Sequence, residues 1–309
     1  MTLDRRRMML AAGAALFAPA PLNRLFAAQK GGPTRKVLFF TKSSGFPHSV
    51  VNTEDGSPAH AEKILTELGK EHGFEVVASK DGRMFDPDKI GQWDAFAFET
   101  TGDLTKEGTD KTPPISADGE KAFYDAILSG KGFVGIHCAT DTFGHHRKRG
   151  ADDPYIQMIG GEFAGHGSQQ KSKIRVASPD FPGAKAFGSD TFEIMDEWYT
   201  QKNWADDLHV ILTQVTEGMK KTGNDFYYSR PDFPETWARM HGKGRVFYTS
   251  MGHREDVWAN PMFQGLLLGA LGWATGRVDA DVTPNLDKVT PGYKEQPSLP
   301  KPDAKKKSA

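Results

Sequence analysis

Four histidines occupy positions from which a side chain could do chemistry, because each follows a predicted strand or a glycine-rich stretch. They are His48, His137, His166 and His253. An imidazole beside a carboxylate either transfers protons or binds a divalent metal ion. Asp141 and Glu197 also follow predicted strands, and we expect them to orient the histidines or to bind hydroxyl groups. The residue types alone leave proton transfer and metal binding both open.

The segment from Asp196 to Tyr199 suits a sugar ligand. Its two acids could accept hydrogen bonds from hydroxyl groups, and an aromatic ring could stack on the C–H face of a pyranose. The same pattern would equally suit the packed end of an edge strand. The candidate substrate-binding residues are His48, Trp198, Tyr199, His253 and Arg254.

The single cysteine, Cys138, lies where a predicted strand runs into a tight turn, which is the position of a nucleophile elbow. A helix N-terminus and a neighbouring histidine could activate its thiol. However, the residue two places later is Thr140, where an elbow usually needs a small residue. A small buried thiol is therefore the favoured interpretation, and a thiol hydrolase is the alternative. One cysteine also excludes an intramolecular disulfide and a cysteine-based zinc site.

The elements that position these residues alternate in the first half of the chain. Short apolar runs predict strands at residues 37–41, 74–78, 94–98 and 132–137, and helical patterns cover residues 59–73 and 117–128. This alternation predicts an α/β fold, a parallel sheet with helices on both faces. The second half is richer in predicted strands, at residues 173–177, 191–195, 209–215 and 244–249, and a last helix covers residues 261–275.

Ligands of such sheets bind at the carboxyl ends of the strands. We therefore expect the four histidines to converge in one pocket there, with Asp141 and Glu197 on its wall. If the ring nitrogens lay more than about 5 Å apart, they could not share an ion, because Zn–N bonds are near 2 Å. The candidate catalytic residues are His137, Asp141, His166 and Glu197, and the candidate metal ligands are the four histidines.

Composition excludes several classes of protein. Among 309 residues, 20 Phe, 6 Trp and 7 Tyr suffice for a sizeable core, which excludes global disorder. The 39 Lys and Arg balance 40 Asp and Glu, and this net charge of −1 argues against a nucleic-acid partner. The glycine-rich stretch at residues 160–167 lacks the spacing of a nucleotide-binding loop.

Both ends of the chain are expected to lie outside the folded unit, which we place at residues 35–277. Residues 1–28 combine consecutive arginines with a short apolar run, as a twin-arginine signal peptide does. We expect a periplasmic or secreted protein, membrane-tethered if the poor cleavage site stays uncut and without a transmembrane helix once the signal is removed. Residues 278–309 are rich in proline and lysine and predict a solvated tail.

Five ordered blocks together resemble the ThuA-like family of trehalose utilisation. They are residues 45–48, 132–141, 160–166, 196–199 and 242–253. The resemblance implies a class I glutamine amidotransferase-like fold, which is a flavodoxin-like, mostly parallel sheet, here with a β extension. It also implies a role in the metabolism of disaccharides or 3-keto-glycosides, with a small carbohydrate as the partner.

The sequence favours a sugar-processing enzyme and leaves open whether it is a hydrolase, a lyase or an isomerase. A non-catalytic module that binds sugar or docks a partner is an alternative, as is the Cys138 thiol hydrolase. A divalent metal is one option for a cofactor. Substrate, linkage and oligomeric state do not follow from the residues.

Overall fold

A computed structural model describes residues 34–53, 55–144 and 150–297. The predicted signal peptide, residues 1–28, lies outside the described residues, as does the end of the predicted tail from residue 298 onward. None of the helices in the described ranges is long and apolar enough to cross a bilayer.

Eleven strands are found in this part of the chain. They are β1 (Arg35–Phe40), β2 (Phe74–Ser79), β3 (Ala95–Phe98), β4 (Gly132–Ile136), β5 (Glu162–His166), β6 (Gln170–Val176), β7 (Thr191–Asp196), β8 (Tyr199–Lys202), β9 (His209–Gln214), β10 (Phe233–His241) and β11 (Gly244–Thr249). Nine of them form one sheet in the order β2-β1-β3-β4-β11-β10-β9-β6-β7, and β5 pairs with β8 in a separate ribbon. The first five strands in that order are parallel, and the rest are antiparallel.

The α-helices are α1 (His60–His72), α2 (Ala117–Leu128), α3 (Pro154–Ile159), α4 (Glu255–Trp258), α5 (Pro261–Ala274) and α6 (Leu286–Val289). Three of them begin at side-chain caps. The Ser116 hydroxyl accepts a hydrogen bond from the Gly119 N–H at the start of α2, and the Asn260 side chain accepts one from Met262 at the start of α5. At the start of α3 the Asp153 carboxylate accepts hydrogen bonds from two backbone N–H groups. Pro261, the first residue of α5, has no backbone N–H and therefore leaves no unpaired donor at the start of the helix.

Helices cover both faces of the parallel half. Alternate β1 residues point to opposite sides, so that Val37 and Phe39 pack in one apolar cluster with α1 and α5. Leu38 and Phe40 pack in a second cluster with α2 and α3. Both faces of β1 are therefore dry, which explains its unbroken apolar sequence. The predicted fold class, a sheet with helices on both faces and a β extension, is confirmed.

Strand β10 was not predicted, because its sequence does not look like a strand. Pro234 has no backbone N–H to donate to a neighbouring strand. Glu235 is an ionisable residue type that is rarely buried, yet it is fully buried in the structure. The pairing of β10 with β9 shifts register between Pro234 and Thr236. This irregularity accommodates the proline inside the sheet.

Residues 278–297 of the predicted solvated tail are mostly exposed or half-buried, but three of them pack into the fold. Leu286 is 2% exposed and Tyr293 is 3% exposed, and both belong to the apolar cluster on the α2 side. The Asn285 side chain accepts a hydrogen bond from the backbone of Val210 at 2.7 Å. The prediction of a tail rested on the proline content of this segment and did not consider the few apolar residues between the prolines, which are the ones that pack.

Candidate functional site

Three histidines and one glutamate converge at the carboxyl edge of the parallel strands. The residues are His48, His137, Glu197 and His253, and one nitrogen or oxygen atom of each lies within 4.8 Å of those of the others. His48 lies in the loop after β1, His137 follows β4, and His253 follows β11. Glu197 lies in the link between β7 and β8. We call these four residues the histidine–glutamate cluster.

A cavity of about 470 Å³ opens above this cluster. Its lining includes His48, His166, His253, Asp141 and Glu197. His137 lies beneath, fully buried, with its Nε2 atom 3.3 Å from Nδ1 of His253. The structure thus brings the four histidines, Asp141 and Glu197 together at one edge of the sheet, with His137 below the cavity rather than in its lining. The chemical roles of these residues stay predictions.

His137 occupies the elbow between β4 and the following turn. Its φ is +41°, a left-handed conformation that costs a non-glycine residue about 1–2 kcal/mol. Its Nδ1–H donates to the Ser250 carbonyl at 2.8 Å, because a carbonyl oxygen can only accept. The other ring nitrogen, Nε2, therefore carries a lone pair directed at the cluster.

This geometry corrects the interpretation of Cys138 as the elbow residue. The strained position at the strand end is held by His137, one residue earlier. Cys138 is completely buried, and burial raises the pKa of its thiol well above the ordinary value. A neutral, enclosed thiol cannot act as a nucleophile on a molecule in the cavity.

Glu197 is the acid at the centre of the cluster. Its carboxylate oxygens lie 3.3 Å from Nδ1 of His166, 3.3 Å from Nδ1 of His253 and 3.7 Å from Nε2 of His137. The residue is 9% exposed, so these contacts are little screened by water. One carboxylate is thus shared by ring nitrogens from three different segments.

Burial keeps three of the histidines neutral. Desolvation, together with the neighbouring imidazoles, lowers the pKa of His48 to about 2 and that of His253 to about 4. Desolvation lowers the pKa of His137 to about 3. Neutral imidazoles keep their lone pairs at neutral pH, and a metal ion requires that of its histidine ligands.

The donor set fits a divalent ion of the zinc or manganese type. Three neutral imidazole nitrogens and one carboxylate oxygen are ligands that zinc takes in catalytic sites, and their mutual distances allow one ion to be shared. Among the residues that the structure describes, Nδ1 of His48 is buried and has no hydrogen-bond partner, although buried polar atoms are nearly always paired. An ion bound at this nitrogen would provide the partner that it lacks.

Two buried acids fix the segments that carry the cluster. Asp196 accepts the Glu197 N–H at 2.9 Å and the Gly252 N–H at 2.8 Å, which ties the Glu197 link to the segment before His253. Glu235 accepts hydrogen bonds from the Ser250 hydroxyl and the Met251 N–H, both at 2.9 Å. The Ser250 carbonyl that holds His137 is therefore itself held in place.

The remaining candidate residues divide into two groups. Tyr199 lines the cavity, with its ring 4.2 Å from the His137 ring and stacked on His166 at 5.4 Å. His166 contacts Glu197 but is not among the four clustered residues, and 39% of its side chain is exposed. Trp198 and Arg254 are not among the residues that line the cavity.

Both of these residues bond to other parts of the protein. Trp198 is fully buried, and its indole N–H donates to the Gln170 carbonyl at 2.8 Å. The Arg254 guanidinium pairs with Asp256 at 2.8 Å and donates to Gln169 at 2.7 Å. Of the two aromatic residues in the Asp196–Tyr199 segment, Tyr199 is the one that faces the cavity.

Sequence reasoning missed several residues of the cavity wall. Phe46 and Phe163 line it, and Phe46 is 65% exposed beside the His48 ring at 5.1 Å. Its place two residues before a candidate histidine was the available signal for Phe46. The supporting role of Glu235 carried no signal, because the sequence does not show that its strand brings it beneath Ser250.

Comparison with known proteins shows which family the chain falls into. The family model for trehalose utilisation, ThuA, matches residues 36–274. A putative ThuA-like protein from Bacteroides uniformis has a similar structure, with a TM-score of 0.58, 20% identity, and coverage of 79% of this chain and 92% of that one. A putative ThuA-like protein from Parabacteroides merdae has a TM-score of 0.58 at 16% identity and covers 86% of this chain and 100% of its own.

At these identities the two structures show a common fold and nothing finer. No curated protein matches the chain. The family model nevertheless spans most of the sequence, from the start of β1 to the end of α5. The chain belongs to the ThuA family, the family of trehalose utilisation.

Proposed function

We propose that this protein is a metal-dependent enzyme that processes a sugar, such as a disaccharide or a 3-keto-glycoside. The observation that carries the proposal is the histidine–glutamate cluster, whose four donor atoms lie within 4.8 Å of one another on the floor of a cavity. Family membership supports a carbohydrate as the substrate class. The proposed ligands are His48, His137, Glu197 and His253.

A divalent ion at this position would act as a Lewis acid toward a carbonyl or hydroxyl oxygen of the sugar. His166 would then exchange a proton with a sugar carbon or hydroxyl, because its ring is partly exposed to the cavity and is oriented by Glu197 at 3.3 Å. Asp141, on the cavity wall, would accept a hydrogen bond from a sugar hydroxyl. Phe163 and Tyr199 would hold the C–H face of the ring.

The cavity's composition agrees with a neutral, hydroxylated ligand. Aromatic rings such as Phe46 and Phe163 alternate in its lining with groups that hydrogen-bond, among them Thr101 and Gln169. Such a mixture of apolar faces and few convergent polar groups is typical of small-molecule sites. Its volume of about 470 Å³ lies within the usual range for such sites.

We also propose that the protein is exported by the twin-arginine route. The consecutive arginines at positions 5–7, followed by the apolar run at residues 8–20, support this. The route carries folded proteins, so a metal bound in the cytoplasm would arrive already in its site. Periplasmic localisation would place the enzyme where externally supplied glycosides enter the cell.

The experiment is a turnover screen of the purified protein against glycosides and their 3-keto forms, before and after removal of metal by a chelator. We expect turnover that the chelator abolishes and that added zinc or manganese restores. Tight sugar binding without turnover in the metal-loaded protein would favour a non-catalytic binding module instead. Turnover that is unaffected by complete removal of metal would contradict the proposal.

A further inference from the structure

A second cavity adjoins the one above the histidine–glutamate cluster. It has a volume of about 790 Å³ and shares His166, Gln169 and Glu197 with the first cavity. These residues therefore stand at the junction of two spaces rather than at the end of one. Of the proposed metal ligands, Glu197 lines the second cavity and the three histidines do not. Asp141 does not line it either.

The far wall of the second cavity is the short helical turn Gly223–Tyr228, which is fastened to the segment after β5. The Tyr228 hydroxyl accepts the Gly167 N–H and donates to the Trp198 carbonyl, each at 2.9 Å. The Asp225 carboxylate accepts both the N–H and the hydroxyl of Ser168 at 2.7 Å. These hydrogen bonds join the wall of the second cavity to Gly167 and Ser168, the two residues that follow His166.

Tyr227 presents an aromatic ring whose position is fixed. It lies directly over Gly165, where a Cβ atom would come within 2.2 Å of the ring. Gly165 also has a φ of +153°, so two features of this position favour glycine. The Tyr227 ring also packs against Phe226, with centroids 4.1 Å apart, and it lines the second cavity.

The chemistry of this wall suits a second ring with hydroxyl groups. Tyr227 and Phe226 offer aromatic surface, and Asn224 and Gln169 offer amide groups that both donate and accept. The Ser168 hydroxyl donates to Asp225 and can still accept a hydrogen bond. The Asp225 carboxylate is already occupied by Ser168. An aromatic platform flanked by neutral hydrogen-bonding groups matches a sugar ring better than an ion or an aliphatic chain.

We propose that this second cavity is a binding subsite for the ring linked to the reacting sugar, with Tyr227 as its platform and the linkage lying at the junction formed by His166 and Glu197. The inference rests on the proposed function and deepens it. The preferred substrate has at least two rings, and the group at the linkage is the one within reach of His166. Tyr227 then determines specificity without taking part in the chemistry.

The test is calorimetric titration of the zinc-loaded full-length protein with methyl glucoside and with the glucose disaccharides trehalose, maltose and cellobiose. We expect at least one disaccharide to bind the wild type about tenfold more tightly than methyl glucoside. Tyr227→Ala should abolish that preference and leave the affinities for zinc and methyl glucoside unchanged. Tyr227→Phe keeps the ring and should retain the preference.

The contrary results distinguish failure of the second subsite from failure of the proposed function. If methyl glucoside and all disaccharides bind the wild type equally, the proposed sugar site stands and the second subsite is refuted. A Tyr227→Ala variant that retains the disaccharide preference also refutes it. A variant that weakens methyl glucoside and disaccharides equally shows a structural role for Tyr227, which contradicts the inference as well. If no sugar binds, both the proposed function and the subsite fail.

Discussion

Removing one proposed ligand, by His253→Ala, should abolish most of the stabilisation that zinc gives the protein. His253 is the least buried histidine of the cluster, with 16% of its side chain exposed, so its truncation disturbs packing least. Its Nδ1 atom lies 3.3 Å from both Glu197 and His137. The substitution removes a donor, while Glu197 keeps its contact with His166 and His137 keeps its hydrogen bond to Ser250.

The size of the effect follows from linkage. Zinc held at about a hundred times its Kd stabilises the wild type by about 2.7 kcal/mol. For a domain of this size that raises Tm by about 5–10 °C. Loss of even an outer partner of a ligand weakens metal sites by about 10–100-fold, and we expect loss of a ligand to reach the upper figure. At the same zinc concentration the variant then gains only about 0.4 kcal/mol, a shift of about 1–2 °C.

The assay is thermal unfolding with and without zinc, in which each variant is compared with its own metal-free form. His209→Ala is the matched control, because His209 bonds the Thr283 carbonyl far from the cluster. We expect the control to keep the full zinc shift. A His253→Ala protein that keeps the wild-type shift, or a control that loses it equally, would refute the assignment of His253 as a ligand.

Four further outcomes follow from the structure. Cys138→Ala should keep turnover within about twofold of the wild type, because the buried thiol contributes packing alone; a loss of several orders of magnitude in kcat would restore the thiol mechanism. Asp196→Asn should weaken zinc binding by about 10–100-fold in titration calorimetry, because an amide cannot accept both backbone N–H groups that the carboxylate now accepts; unchanged affinity would show that Asp196 does not position the cluster. Zinc affinity should change little between about pH 7.5 and about pH 5.5, because the pKa values of the three buried histidines, about 2 to 4, lie below that window and protons compete with the metal only below them; with ordinary pKa values near 6.5, each histidine would cost about tenfold at the lower pH. Replacing Arg6 and Arg7 by lysine should leave the precursor in the cytoplasm, as judged by cell fractionation, because the export receptor reads the guanidinium pair; unchanged periplasmic delivery would refute this route.

The parallel half of the fold could be predicted from the sequence because its strands are buried on both faces and are therefore continuous apolar runs. An unbroken apolar run such as β1 predicts its own environment, and the alternation with helices then fixes the sheet type. The convergence of His48, His137 and His253 was readable for the same reason, since parallel strands place their following loops at one edge. Glu197 could be included because it follows a predicted strand.

What the sequence could not show depends on backbone conformation and on distant partners. The left-handed φ of His137 moves the elbow one residue from Cys138, and no residue type announces it. Trp198 is of a residue type that stacks on sugar rings, but in the structure it is fully buried and its indole N–H donates to the Gln170 carbonyl. Strand β10 is hidden by Pro234, whose missing N–H matters less at a register shift than in a regular ladder.

Anomalous X-ray diffraction at the zinc absorption edge, recorded on crystals of the full-length protein grown with zinc, would locate a bound ion directly. We expect one strong peak among His48, His137, Glu197 and His253, at about 2 Å from a nitrogen of each histidine and from a carboxylate oxygen. A peak bound elsewhere, or a fully ordered cluster without any peak, would contradict the proposed metal site.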